Sequence, residues 1–75
     1  MPDGNAEWEA KVKGLLKAEL KKRAVTYAQL VDRLAEIGVT ETEPNIRNKM
    51  ARGKFSAVFL VQCLEAVGAD TLRLD

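Results

Sequence analysis

The strongest constraint on the fold is a repeated order of residues that begin and end helices. Thr26, Thr42 and Ser56 each stand before a segment with helical apolar spacing, where a hydroxyl oxygen can accept hydrogen bonds from free backbone N–H groups. A glycine, which readily takes the left-handed conformation after a helix, follows each segment. These glycines are Gly38, Gly53 and Gly68. With one earlier apolar-periodic segment, the order predicts four helices in an all-α domain.

The spacing of the apolar residues predicts the buried side of the first two helices. On the first helix these residues are Trp8, Val12, Leu15, Leu16 and Leu20. On the second helix they are Leu30, Val31, Leu34 and Ile37. Thr26 and Gln29 are spaced as a capping box at the start of the second helix. We therefore expect a compact four-helix domain at residues 6–70, with an N-terminal tail at 1–5 and a C-terminal tail at 71–75.

The third helix predicts an unusual exposed surface. If Ile46 and Met50 face the core, the helical rotation turns Asn48 and Arg52 to the opposite side, with Pro44 in the first turn. From Pro44 to Lys54 the chain carries four bases and no acid. The exposed side is therefore expected to be cationic and rich in amides.

Composition argues against catalysis. The 75 residues include no histidine and one cysteine, Cys63, which lies in an apolar segment typical of a buried, inert thiol. No glycine-rich phosphate loop, metal-ligand cluster or membrane-length apolar run occurs in the sequence. We therefore expect a cytoplasmic protein that is not an enzyme, with no metal and no cofactor.

Charge is concentrated although the net charge is only +1. Residues 11–23 carry six bases and one acid, and residues 44–54 form the second basic segment. Two basic segments in a nearly neutral chain are typical of a protein that binds a polyanion.

The run "TYAQLVDRL", then "TEPNIRNKMARG", then an apolar helix ending in "LEAVGAD", resembles the lambda-repressor-like (Cro/C1 or XRE-type) helix-turn-helix family. The segments "LKAELKKRAVTYAQL" and "NIRNKMARGKFSA" look more similar still to a family of short bacterial domains of unknown function. Thr26 and Thr42 are sixteen residues apart, so either the second helix is longer than in a tight helix-turn-helix or "VTE" bulges.

The first resemblance implies sequence-specific binding to double-stranded DNA by a small transcriptional regulator. The recognition helix would be residues 42–52, lying in the major groove. The residues implied to contact bases are Glu43, Pro44, Asn45 and Asn48. Those implied to contact phosphates are Thr26, Tyr27, Arg47, Lys49, Arg52, Gly53 and Lys54.

The fourth helix is apolar nearly all round. It carries more apolar surface than one side of a helix in so small a core can bury. We therefore expect a homodimer. The predicted interface residues are Val58, Phe59, Val61, Leu72 and Leu74. Two other functions fit the same charges: a protein-interaction module, such as an adaptor or an antitoxin-like partner that reads no bases, and an RNA-binding domain.

Overall fold

Four α-helices account for the regular structure in a computed structural model that describes residues 4–74. Helix α1 spans Ala6–Lys22, α2 spans Tyr27–Glu36, α3 spans Glu43–Arg52 and α4 spans Ala57–Ala66. No strand occurs within residues 4–74. The prediction of an all-α four-helix domain is confirmed. Residues 1–3 and 75, which belong to the two expected tails, lie outside the described part of the chain.

Side chains cap the starts of three helices. Thr26 and Gln29 form a complete capping box, because the Thr26 hydroxyl accepts from the Gln29 N–H at 3.1 Å and the Thr26 N–H donates to Gln29 Oε1 at 2.9 Å. The hydroxyls of Thr42 and Ser56 each accept from the backbone N–H three residues on, at 3.3 and 3.0 Å. At α1, by contrast, the Asn5 side chain makes no capping hydrogen bond. The three predicted hydroxyl caps are thus confirmed.

Three helices end in the same fold-back of the chain, the Schellman motif. After α1, the Ala24 N–H donates to the Lys21 carbonyl at 3.1 Å and the Val25 N–H to the Leu20 carbonyl at 2.9 Å. Equivalent bonds follow α2 and α4. The residues in the left-handed position are Ala24, Gly38 and Gly68, with φ of 56°, 83° and 78°. Ala24 is the only non-glycine with positive φ among the described residues, so this turn is strained.

Helix α2 packs against both α3 and α4, and α1 packs against α4. The buried apolar residues form one core. They are Leu16, Leu20, Val25, Leu30, Leu34, Ile46, Met50, Phe59, Cys63, Val67 and Ala69.

Four expected core residues lie outside this core: Val12 and Leu15 are half-buried, and Trp8 and Ile37 are exposed. Trp8 is 66 % exposed and Ile37 is 43 % exposed, so their predicted burial was wrong. At 100° per residue, Trp8 lies about 80° from the fully buried Leu16 around α1, whereas Glu9 lies only about 20° away. The buried stripe therefore passes through Glu9 at this end of the helix. Ile37 is the C-cap residue of α2, where the helical periodicity ends.

The long spacing between Thr26 and Thr42 is divided between α2 and its connection to α3. Helix α2 has ten residues and ends at Glu36, and α3 begins at Glu43, so residues 37–42 link the two helices. Since a tight helix-turn-helix needs a turn of only 3–4 residues, the connection takes part of the extra length and the ten-residue α2 takes the rest.

Candidate nucleic-acid interface

Helix α3 presents one buried and one exposed side. Ile46 and Met50 are 0 % and 2 % exposed, and they fix the rotation of the helix in the core. Asn48 and Arg52 are exposed on the outer side, as the spacing predicted. Pro44, Asn45, Arg47 and Ala51 are also exposed. The structure thus exposes Pro44, Asn45 and Asn48, whereas Glu43 is half-buried, and the contact of all four with DNA stays a prediction.

One of the α3 bases is paired within its own helix. Arg47 Nη2 donates to Glu43 Oε1 at 2.7 Å, and the two side chains are 59 % and 42 % exposed. An exposed pair one turn apart contributes only about 0.3–0.5 kcal/mol, so a phosphate could replace the carboxylate at little cost. The i, i+4 spacing of Glu43 and Arg47 was the sequence signal for this pair.

Lys49 occupies a different environment from the other bases. Its Nζ lies 2.7 Å from Glu41 Oε2 and 4.3 Å from the centre of the Phe59 ring on α4. The Glu41 side chain is only 10 % exposed, and that of Lys49 is 36 % exposed. Lys49 therefore joins the α2–α3 connection, α3 and α4. Its contact with phosphate stays a prediction, and this ammonium group would have to leave a carboxylate and an aromatic face to make it.

Glu41 is the residue that sequence reasoning missed at this surface. The Lys49 hydrogen bond is the main cause that lowers the pKa of its carboxyl, against the effect of burial. The Thr42 N–H, which donates to Glu41 Oε1 at 3.1 Å, and the Asn45 side chain also lower this pKa. Glu41 precedes α3 and lies eight residues from Lys49, so no helical spacing identified the pair.

The end of α3 carries two exposed bases on either side of a buried glycine. Arg52 and Lys54 are exposed, and no ion pair involves them among residues 4–74. The Gly53 N–H donates to the Lys49 carbonyl at 3.0 Å, so the expected contact of this N–H with phosphate is corrected. A Cβ at Gly53 would lie 3.1 Å from the Glu9 carbonyl oxygen, which shows that α1 packs closely on this turn.

The start of α2 offers fewer contacts than the resemblance implied. The Thr26 N–H is engaged by Gln29, although the Thr26 side chain is exposed. Tyr27 is half-buried and packs against the core. A phosphate contact from Tyr27 stays a prediction, and only the exposed part of its side chain is available for it.

A second group of bases lies where α1 ends. Lys22 and Arg23 line a cleft of about 250 Å³ together with Arg73 from the C-terminal segment. Glu19 also lines the cleft and pairs with Arg23 at 3.5 Å between Oε2 and Nε. Lys22, Arg23 and Arg73 thus form a basic group at the C-terminal end of α1.

The predicted dimer residues divide into two sets. Val58, Val61 and Leu74 are 65 %, 62 % and 63 % exposed, and Leu72 is half-buried. Phe59 is only 4 % exposed and packs edge-to-face on Phe55 in its own chain, with ring centres 5.5 Å apart. Its assignment to a dimer interface is therefore corrected. Phe59, Cys63 and Val67 are buried at i, i+4, i+8 spacing, but the apolar residues at almost every other position of α4 hid this pattern in the sequence.

The single cysteine of the chain is buried in the core. Burial raises the pKa of the Cys63 thiol to about 12, so this side chain is a poor nucleophile at neutral pH. Residues 4–74 contain no group of three side chains suited to hold a metal ion. None of the four helices is long and apolar enough to cross a bilayer.

Comparison with known proteins identifies one family. A sequence model described as "Domain of unknown function (DUF6471)" matches residues 8–72, which is most of the chain. Neither a curated protein nor a solved structure matches the chain. The expected similarity to a family of domains of unknown function is confirmed.

Proposed function

We propose that this chain, which belongs to the family described as Domain of unknown function (DUF6471), binds double-stranded DNA through the exposed side of α3. In this proposal the protein is a small cytoplasmic transcriptional regulator of the lambda-repressor-like, XRE type. Helix α3 lies in the major groove and α2 crosses the DNA backbone.

The observation that carries the proposal is the outer side of α3, where exposed amides precede exposed bases. Asn45 and Asn48 can each offer a donor and an acceptor to the edge of an adenine. Arg52 lies one turn beyond Asn48 and is suited to a phosphate. Glu43, at the start of the helix, can accept from the N4 amine of a cytosine once Arg47 turns to phosphate.

The ion pairs of α3 limit the electrostatic part of this binding. Lys49 is held by Glu41, and Arg47 must leave Glu43 before it meets a phosphate. Arg47 and Arg52 are then the main phosphate contacts of α3, and Lys54 adds charge at its end. Two phosphate contacts imply that the logarithm of the association constant of one chain for duplex DNA falls by about 1.8 for each tenfold rise in salt concentration.

The experiment compares three single variants on a selected DNA site and on random duplex. The site is first selected from a pool of randomised duplexes. Asn48→Ala is expected to weaken binding to the selected site by about 1–3 kcal/mol and to leave random duplex nearly unchanged. Arg52→Ala should weaken both by similar factors and reduce the salt slope by about 0.9.

Arg33→Ala is the matched control, because it removes the same charge from the last turn of α2, away from the start of that helix, where the proposal places the DNA backbone. Each variant should melt within about 0.5 kcal/mol of the parent protein, as exposed substitutions usually do. Equal losses for Asn48→Ala on both DNAs would mean that α3 does not read sequence. A flat salt response with weak binding would exclude DNA as the ligand of this surface.

A second function is favoured by α4. Val58 and Val61 form an exposed apolar patch outside the DNA-facing helix, which also suits a protein-interaction module. Retention on an acidic protein matrix but not on heparin or duplex DNA at low salt would support this alternative.

A further inference from the structure

The exposed side of α4 has an apolar centre between opposite charges. Val58 and Val61 lie three residues apart on one side of the helix and are both mostly exposed. Glu65 is exposed four residues after Val61, and Lys54 is exposed four residues before Val58, just ahead of the helix. In chain order these four residues, which we call the α4 stripe, are base, valine, valine, acid, with the base in the non-helical segment that leads into α4.

The α4 stripe is complementary to the same stripe of a second copy that runs in the opposite direction. A two-fold axis between Val58 and Val61 would place each valine opposite the other valine of a second copy. The same rotation would place Lys54 opposite Glu65 of the partner subunit, and it would do so twice. We propose that the α4 stripe is the interface of an antiparallel homodimer built on these four residues.

Charge selects the antiparallel arrangement. A parallel pair of α4 helices would place Lys54 beside a second lysine and Glu65 beside a second glutamate. It would also align the two helix dipoles, whereas the antiparallel pair brings each helix end next to an end of opposite sign. Ala57 is exposed next to the stripe, and its small side chain allows the helix axes to approach within about 8–10 Å.

The stripe is independent of the core and shares only Lys54 with the proposed DNA-binding surface. Phe59 lies in the core of its own chain, so the dimer does not require the helix to unpack. Lys54 takes a carboxylate of the second copy as its partner, and Arg52 remains exposed on α3. Dimerisation is therefore testable without DNA.

Sedimentation equilibrium from about 10 to 500 µM, without DNA, provides the first test. One helix side buries less than a standard interface of about 1,600 Å², so we expect a weak dimer that dissociates within this range. Val61→Lys should reduce association at least tenfold. Ile37→Lys is the control, because it adds the same charge at an exposed apolar residue outside the stripe and should leave association unchanged.

A charge exchange provides the second test and defines the register. Lys54→Glu alone and Glu65→Lys alone each replace two attractions with two repulsions, so each should weaken the dimer about tenfold. The double variant restores both pairs with their signs reversed and should dimerise like the parent protein. Circular dichroism of dilute samples checks that every variant is folded. A monomer at all concentrations, an unaffected Val61→Lys dimer, or no rescue in the double variant would each overturn the proposal.

Discussion

Gly53→Ala tests how closely α1 packs on the end of α3. Gly53 is buried and has a φ of 65°, a left-handed conformation that disfavours side chains. A Cβ at this position would lie 3.1 Å from the Glu9 carbonyl oxygen and 3.4 Å from the Glu9 carbonyl carbon. Both atoms belong to the backbone of α1, so neither can rotate away as the tip of a side chain would.

The cost of Gly53→Ala has two parts. The left-handed conformation costs an alanine about 1–2 kcal/mol, and the lower entropy of the unfolded alanine chain returns about 0.4–1 kcal/mol. The contact with Glu9 adds about 1–3 kcal/mol, the usual range for an extra methyl group in a packed interior. We therefore expect a loss of about 2–4 kcal/mol in the free energy of unfolding.

Gly38→Ala and Gly68→Ala are matched controls. Both residues have positive φ, but a Cβ at either would meet no atom within 4 Å. They should lose only about 0.5–1 kcal/mol, from the left-handed conformation alone. Urea unfolding followed by far-UV circular dichroism measures all three variants. If Gly53→Ala lost no more than the controls, the close packing of α1 on α3 would be refuted.

Two further predictions concern the turn after α1 and the ion pair between Glu41 and Lys49. Ala24→Gly should stabilise the protein by about 0.5–1 kcal/mol, because it relieves the left-handed strain at the C-terminus of α1; an unchanged melting temperature would contradict this strain. Since Lys49 lowers the pKa of Glu41 in the folded state, this carboxylate stabilises the fold above its unfolded pKa of about 4.5, and the stabilisation is lost as the pH falls through the lower folded value. Glu41→Gln should lower the free energy of unfolding by about 1 kcal/mol at pH 7. Between pH 7 and pH 3 the variant should lose less stability than the parent protein, and equal losses would argue against the Glu41–Lys49 pair.

Local rules account for most of the fold. The hydroxyls of Thr26, Thr42 and Ser56 were identifiable because a cap depends on neighbours within three residues. The inward direction of Ile46 and Met50 followed from the helical repeat, since α3 has few other apolar residues to bury. Such features require no knowledge of how the helices pack.

Features that depend on the packing of helices were not identifiable in the same way. The contact of Lys49 with Phe59 joins residues ten positions apart on two helices, and no sequence spacing encodes it. On α4, an apolar residue stands at almost every position, so the pattern did not distinguish the buried Phe59 from the exposed Val58. Trp8 was misplaced because the apolar residues of α1 spread over a wide arc, and the ideal repeat already puts Trp8 about 80° from the fully buried Leu16.

The contact between Lys49, Glu41 and Phe59 also bears on the entropy of ligand binding. Rotation of α3 about its axis would break the 2.7 Å bond and would also expose Ile46 and Met50 to water. The helix is therefore ordered when the chain folds, before any ligand arrives. Asn48 has a short side chain with two rotatable bonds, so it loses little conformational freedom in a complex. A ligand that fits the outer side of α3 meets a preorganised surface, and little of its binding energy is lost to ordering the protein.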